Sequence, residues 1–133
     1  MEKKILLVDD EPSVLRVLDM KFKNAGFKVL TASDGMEGLE IIEKELPDVV
    51  ISDNRMPNMS GIDLCVACKK IREKRNFLFI MLSSYASVTS KLDREWVNSL
   101  SDTVFIPKPF SPRNILKTVE NYFEENGKEA LVS

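Results

Sequence analysis

Histidine is absent from this chain, and cysteine occurs only twice, at Cys65 and Cys68. With no imidazole and no second cysteine pair, a tetrahedral zinc site cannot be completed. A redox CxxC stands at a helix start just after a strand, whereas these two fall inside a helix-like stretch. They read instead as two thiols of a reduced cytoplasmic protein. Charge of one sign is also lacking: 19 basic and 21 acidic residues leave a net charge of −2. Nothing overall compensates phosphate charge, which argues against direct nucleic-acid binding by this chain. No apolar run is long enough to span a bilayer, and Met1-Glu2-Lys3-Lys4 leads straight into a strand-like run without a secretory h-region. Repeats, low-complexity tracts and internal linkers are missing as well. What is present is a chain of 133 residues, 44% hydrophobic and 30% charged, enough for one domain with a sizeable core.

Strand-like and helix-like stretches alternate five times along it. The strands are predicted at 4–8, 28–31, 49–52, 77–82 and 103–106. The helices are predicted at 12–24, 35–45, 62–73, somewhere within 87–100, and from Pro112 onward with Ser111 as N-cap. The runs Ile5-Leu6-Leu7-Val8 and Val49-Val50-Ile51-Ser52 are aliphatic, short and without alternation, as in central strands buried on both faces. Such a pattern implies an α/β fold, a parallel sheet with right-handed crossovers and helices on both faces. The domain is expected over 1–126, with 127–133 a frayed tail.

Three acidic residues stand where these central runs end: Asp9 and Asp10 after the first strand, Asp53 after the third. In an open α/β sheet the ligand crevice lies outside the carboxyl ends of the strands. Clustered carboxylates resist ionising together, and a hard oxygen-seeking cation such as Mg²⁺ resolves the conflict. Each residue alone has a plainer reading: a lone Asp after a strand commonly caps a helix or turns the chain, as Asp34 and Asp48 are expected to do.

Two further signals complete the pattern. The fourth strand ends in Ser83-Ser84, and the fifth runs into Pro107-Lys108-Pro109-Phe110. With Asp9-Asp10 and the loop Asp53-x-x-Met56-Pro57-x-Met59-x-Gly61, the set resembles the receiver domain of two-component response regulators over nearly the whole chain. The resemblance implies a doubly wound, flavodoxin-like (βα)5 sheet of order 2-1-3-4-5. It implies that Asp53 is the phosphoacceptor. Mg²⁺ (or Mn²⁺) would be held by Asp9, Asp10, Asp53 and the backbone carbonyl of Arg55. Lys108 matches the lysine that pairs with the phosphoryl oxygens, Ser83 the switch hydroxyl and Phe105 the switch aromatic. The Lys108–Pro109 bond is expected to be cis. Arg55 and Tyr85 flank the path of the attacking water and are expected to tune dephosphorylation. Asn54 stands where the family usually has an apolar residue, and 98–102 departs from the family's turn before the fifth strand.

The function so implied is a signalling switch rather than an enzyme, though with its own phosphorylation and dephosphorylation activity. Its partners would be a sensor histidine kinase or a phosphotransfer protein. A dimer partner or effector would meet the face of the fourth helix, fifth strand and fifth helix. A degenerate receiver that acts as a phosphorylation-independent interaction module is the alternative. A nucleotide or flavin carrier of the same fold needs a first loop rich in backbone donors. Asp9-Asp10-Glu11-Pro12 repels phosphate and lacks one donor at Pro12. A phosphatase with an Asp nucleophile would need a second acid two residues on, where Arg55 stands.

Overall fold

Strand β1 (Lys4–Val8) opens the chain and β3 (Val49–Asp53) pairs with it in parallel, Ile5 opposite Val49 and Val8 opposite Ser52. The computed structural model describes residues 2–83 and 103–132, with the backbone alone from 126 to 132. β2 (Lys28–Ala32) flanks β1 on the other side, and β4 (Leu78–Ser83) and β5 (Thr103–Pro107) follow β3. The sheet is five-stranded and parallel throughout, in the order β2-β1-β3-β4-β5. This is the doubly wound order that the family resemblance implies.

Helices cover both faces: α1 (Pro12–Asn24) and α5 (Pro112–Val132) one, α2 (Gly35–Glu45), α3 (Gly61–Ala67) and α4 (Lys69–Lys74) the other. Side chains of a strand alternate between faces, so each central strand feeds two cores. Leu6, Val8, Val50, Phe79 and Met81 pack with Ile42, Leu64 and Cys65. Ile5, Leu7, Val49, Ile51, Ile80 and Leu82 pack with Leu18 and Phe22 of α1 and Ile115 and Val119 of α5. Burial on both faces is why these strands carry no polar alternation.

Two elements differ from the sequence expectation. The helix predicted over 62–73 is divided at Cys68, whose φ of −91° and ψ of 5° leave the helical basin. There the thiol donates to the Cys65 carbonyl at 3.4 Å, while the backbone bonds from Cys68 N to Leu64 O and from Arg72 N to Cys68 O, each at 3.0 Å, carry on across the division. At the other end of the chain, helix α5 runs to Val132, beyond residue 126 where fraying is expected. The extension consists largely of good helix formers, Lys128 to Leu131, which outweigh the cost of Gly127. The predicted helix within 87–100, with Trp96, lies outside the described residues.

Candidate functional site at the carboxyl edge of the sheet

Parallel strands end together, so β1, β3, β4 and β5 deliver their terminal residues to one edge. Asp9 follows β1, and its backbone N–H donates to Ala32 O of the neighbouring strand at 3.1 Å. Asp53 ends β3 and is 4% exposed. The register continues through Ser83, which is opposite Pro107 and accepts from the Lys108 N–H at 2.8 Å. That bond turns the chain after β5 so that Lys108 reaches back over the edge. Its Nζ lies 2.8 Å from Asp53 Oδ1. The peptide Lys108–Pro109 is cis.

Electrostatics single out Asp9. Burial pushes its carboxyl up to about 6, a bond from the Glu11 N–H opposes this, and the charges of Asp53 and Asp10 raise it further. Glu11 N donates to Oδ1 at 2.9 Å, while Oδ2 is buried with no hydrogen-bond partner. For Lys108 partial burial favours the neutral amine, but the bond and charge of Asp53 prevail and raise its pKa. One carboxylate oxygen from each of Asp9, Asp10 and Asp53 lies within 4.8 Å of the others. Three hard carboxylate oxygens so close together, with an unpartnered buried oxygen on Asp9, fit a cation of the Mg²⁺ or Mn²⁺ class, which keeps several waters and needs few protein ligands. Beside them opens a cleft of about 460 Å³ lined by Asp10, Glu11, Asp53, Arg55, Met56, Pro57 and Lys108.

The protein-family model described as the response regulator receiver domain matches residues 5–120. The chain belongs to the response regulator receiver family. Among curated relatives it is 36% identical to the alkaline phosphatase synthesis transcriptional regulatory protein PhoP of Bacillus subtilis (strain 168), over 86% of this chain and 46% of that one. It is 34% identical to the probable transcriptional regulator ycf27 of Guillardia theta, over 99% of this chain and 50% of the relative. The chain thus spans about half the length of the curated relatives it matches. Among solved structures, the CheY-like receiver domain protein of Methanospirillum hungatei JF-1 superposes with a TM-score of 0.83 at 30% identity, covering 97% of this chain and 99% of that one. The chemotaxis protein CheY4 of Vibrio cholerae, in crystals grown at low pH, gives 0.78 at 31% identity, covering 91% of this chain and 98% of the other.

Within this receiver the expected residues fall as follows. Asp9, Asp10, Asp53 and Lys108 converge on the carboxyl edge, with Asp10 exposed at its mouth. Ser83 is buried at the end of β4, and Arg55 stands exposed on the cleft rim. Phe105 is half-buried on β5 opposite Met81, against the core of the α2–α3 face. Tyr85 lies outside the described residues. Asn54, the departure from the family pattern, has a structural use. Its side-chain oxygen accepts from Ile62 N and its carbonyl from Gly61 N, each at 3.0 Å, closing the loop that follows Asp53. Three further residues belong to the sequence pattern but carry no site role in it. Glu11, Met56 and Pro57 line the cleft, and their proximity in sequence to Asp10 and Asp53 is the signal that could have found them.

Proposed function

We propose that this receiver takes a phosphoryl group onto Asp53 from the phosphohistidine of a sensor histidine kinase or phosphotransfer protein. The observation that carries this reading is the pairing of Lys108 with Asp53 at 2.8 Å beside the unpartnered oxygen of Asp9. A carboxylate oxygen of Asp53 attacks phosphorus as the P–N bond to the donor imidazole breaks, leaving an acyl phosphate and a neutral histidine once a proton is taken up. Asp9, Asp10, Asp53 and the Arg55 carbonyl would hold Mg²⁺ (or Mn²⁺), which supplies charge neutralisation for the phosphoryl oxygens. Lys108 then pairs with a phosphoryl oxygen in place of the free carboxylate. Ser83 donates its hydroxyl to another.

The acyl phosphate adds roughly 1.5 to 2 negative charges and three strong acceptor oxygens at this edge. Movement of Ser83 vacates space at the end of β4, and Phe105 repositions on β5. The output face is then β5 with α5 and the predicted helix within 87–100, where an effector or a second copy would dock. Arg55, on the cleft rim, and Tyr85 tune the rate of phosphate loss. The setting we propose is the cytoplasm, and no helix among the described residues is long and apolar enough to cross a membrane.

Mass spectrometry after incubation with acetyl phosphate tests the reading. Modification of the wild type should require a divalent cation and should map to Asp53. Asp53→Asn should abolish it, and Mg²⁺-dependent labelling of that variant at the wild-type rate would overturn the assignment.

A further inference from the structure

The loop between Asp53 and α3 is held at both ends, and only one end lies near the acid cluster. At the near end Asn54 accepts from Gly61 and Ile62, as described. There is no room for a side chain at Gly61, where a Cβ would stand 2.7 Å from the Asp53 carbonyl oxygen. The far end, Asn58-Met59, rests on the corner between β2 and α2. Asp34 caps α2 with one carboxylate oxygen, Oδ1, which accepts from Glu37 N at 2.8 Å. Its other oxygen, Oδ2, accepts from Asn58 Nδ2 at 3.3 Å. Asn58 has a φ of +68°, a left-handed conformation that Asn tolerates better than most residues. Next to it, Met59 lies flat on Gly35. A Cβ on Gly35 would meet the Cβ and the backbone oxygen of Met59 at 2.7 Å each. The backbone oxygen cannot rotate away as a side chain would, so any larger residue at 35 displaces the loop itself.

Arg55 lies between these two anchors. We propose that Asp34 and Gly35 are positioning residues: the seat they form for Asn58 and Met59 sets where the backbone carbonyl of Arg55 stands relative to Asp10 and Asp53. The inference rests on the proposed metal site. Mg²⁺ tolerates little deviation from octahedral geometry, so a carbonyl displaced by a fraction of an ångström is a poorer ligand. The seat thereby couples metal affinity to the β2–α2 corner, which supplies no ligand of its own.

Three variants separate this role from simple destabilisation. Gly35→Ala obstructs the seat. Asp34→Ser keeps a side-chain oxygen for the helix cap but has none left for Asn58. Asn58→Gly keeps the left-handed backbone and removes the amide. Amide NMR of the metal-free proteins, followed by titration with MgCl₂, reads both loop position and affinity. In Gly35→Ala the metal-free resonances of 54–60 should shift, and Mg²⁺ affinity should fall about tenfold, the scale of outer-shell changes at metal sites. Asp34→Ser and Asn58→Gly should lose affinity in the same direction and by less. Wild-type Mg²⁺ affinity in Asp34→Ser and Asn58→Gly would overturn the positioning role, whether or not Gly35→Ala folds. Loss of thermal stability with unchanged affinity would overturn it too, because a purely structural seat behaves that way. Failure of the wild type itself to bind Mg²⁺ would instead overturn the metal reading and this inference with it, which the Asp10 resonances report directly.

Discussion

Asp9 is the residue at which folding and function pull apart. Its carboxyl is buried, unpartnered on one oxygen, and raised to about 6 against an ordinary 3.8. The sign of the consequence follows from proton binding. Between the two values the folded state binds more protons than the unfolded chain, so stability falls as pH rises through that window. Above pH 6 the ionised Asp9 therefore weakens the metal-free fold, by on the order of 3 kcal/mol. Asp9→Asn should melt higher than wild type at pH 7.5 in EDTA, and the gain should shrink towards pH 4. Thermal denaturation at the two pH values checks this, and an unchanged melting temperature at pH 7.5 would refute it. Asp10→Asn should also stabilise the metal-free protein by relieving like-charge repulsion, while losing most of the stabilisation that Mg²⁺ confers. The two cysteines behave as their composition suggests. Both are buried, and burial pushes the Cys68 thiol up to about 12, which keeps it protonated and unreactive.

At the scale of elements, the edge works because each strand ends against a neighbour that fixes it. Asp48 does this at the opposite edge of the sheet. One carboxylate oxygen accepts from Lys4 N at 2.8 Å and the other pairs with Arg75 at 3.1 Å. It is a clamp between strands rather than a helix cap. Arg72 of α4 reaches Thr103 at 3.0 Å, joining that helix to the start of β5. Helix α1 shows how unequal two faces of one element are. Phe22 is fully buried in the core, whereas Met20 is 60% exposed. Phe22→Ala should cost about 3 to 5 kcal/mol, the range for emptying an aromatic site. Met20→Ala should stay within about 0.5 kcal/mol of wild type. Urea denaturation of both variants measures the contrast, and equal midpoints would mean that the α1–α5 core is not packed as described.

For the molecule as a whole, the proposed switch needs two discrete arrangements linked across the sheet. The link here is short: Ser83 ends β4, its carbonyl holds Lys108, and Phe105 lies three residues before Lys108 on β5. Beryllofluoride-treated protein should show amide shifts around Asp10 and Asp53 and also along β5 and α5. Ser83→Ala should keep the local shifts and lose the distant ones. Distant shifts of wild-type size in Ser83→Ala would remove Ser83 from the switch. Mg²⁺ alone should raise the melting temperature, since a ligand at about 100 times its dissociation constant adds about 2.7 kcal/mol to a state that alone binds it. Asp10→Asn is the control for that rise.

Much of this was legible in the chain itself. Aliphatic runs without alternation read as strands covered on both faces, and acids at their ends as carboxyl-edge residues, so a parallel sheet and the grouping of Asp9, Asp10 and Asp53 were legible in local pattern, whereas the strand order came with the family resemblance. Lys108 alone reads as a surface lysine, and only the resemblance to receiver domains singled it out. The division of the third predicted helix at Cys68 was not legible, because the apolar spacing of Leu64, Cys68 and Ile71 runs through it unbroken. Nor were the two bonds of Asn54 or the seat of Asn58 and Met59 on Asp34 and Gly35. Residues 34 and 58 are far apart in sequence, and nothing in a linear pattern states that a glycine faces a backbone oxygen across that gap. Sequence periodicity decides which residues are buried and in what order strands succeed one another. Which of them touch across the chain, and how closely, depends on the packing of elements against each other, and only the tertiary structure decides it.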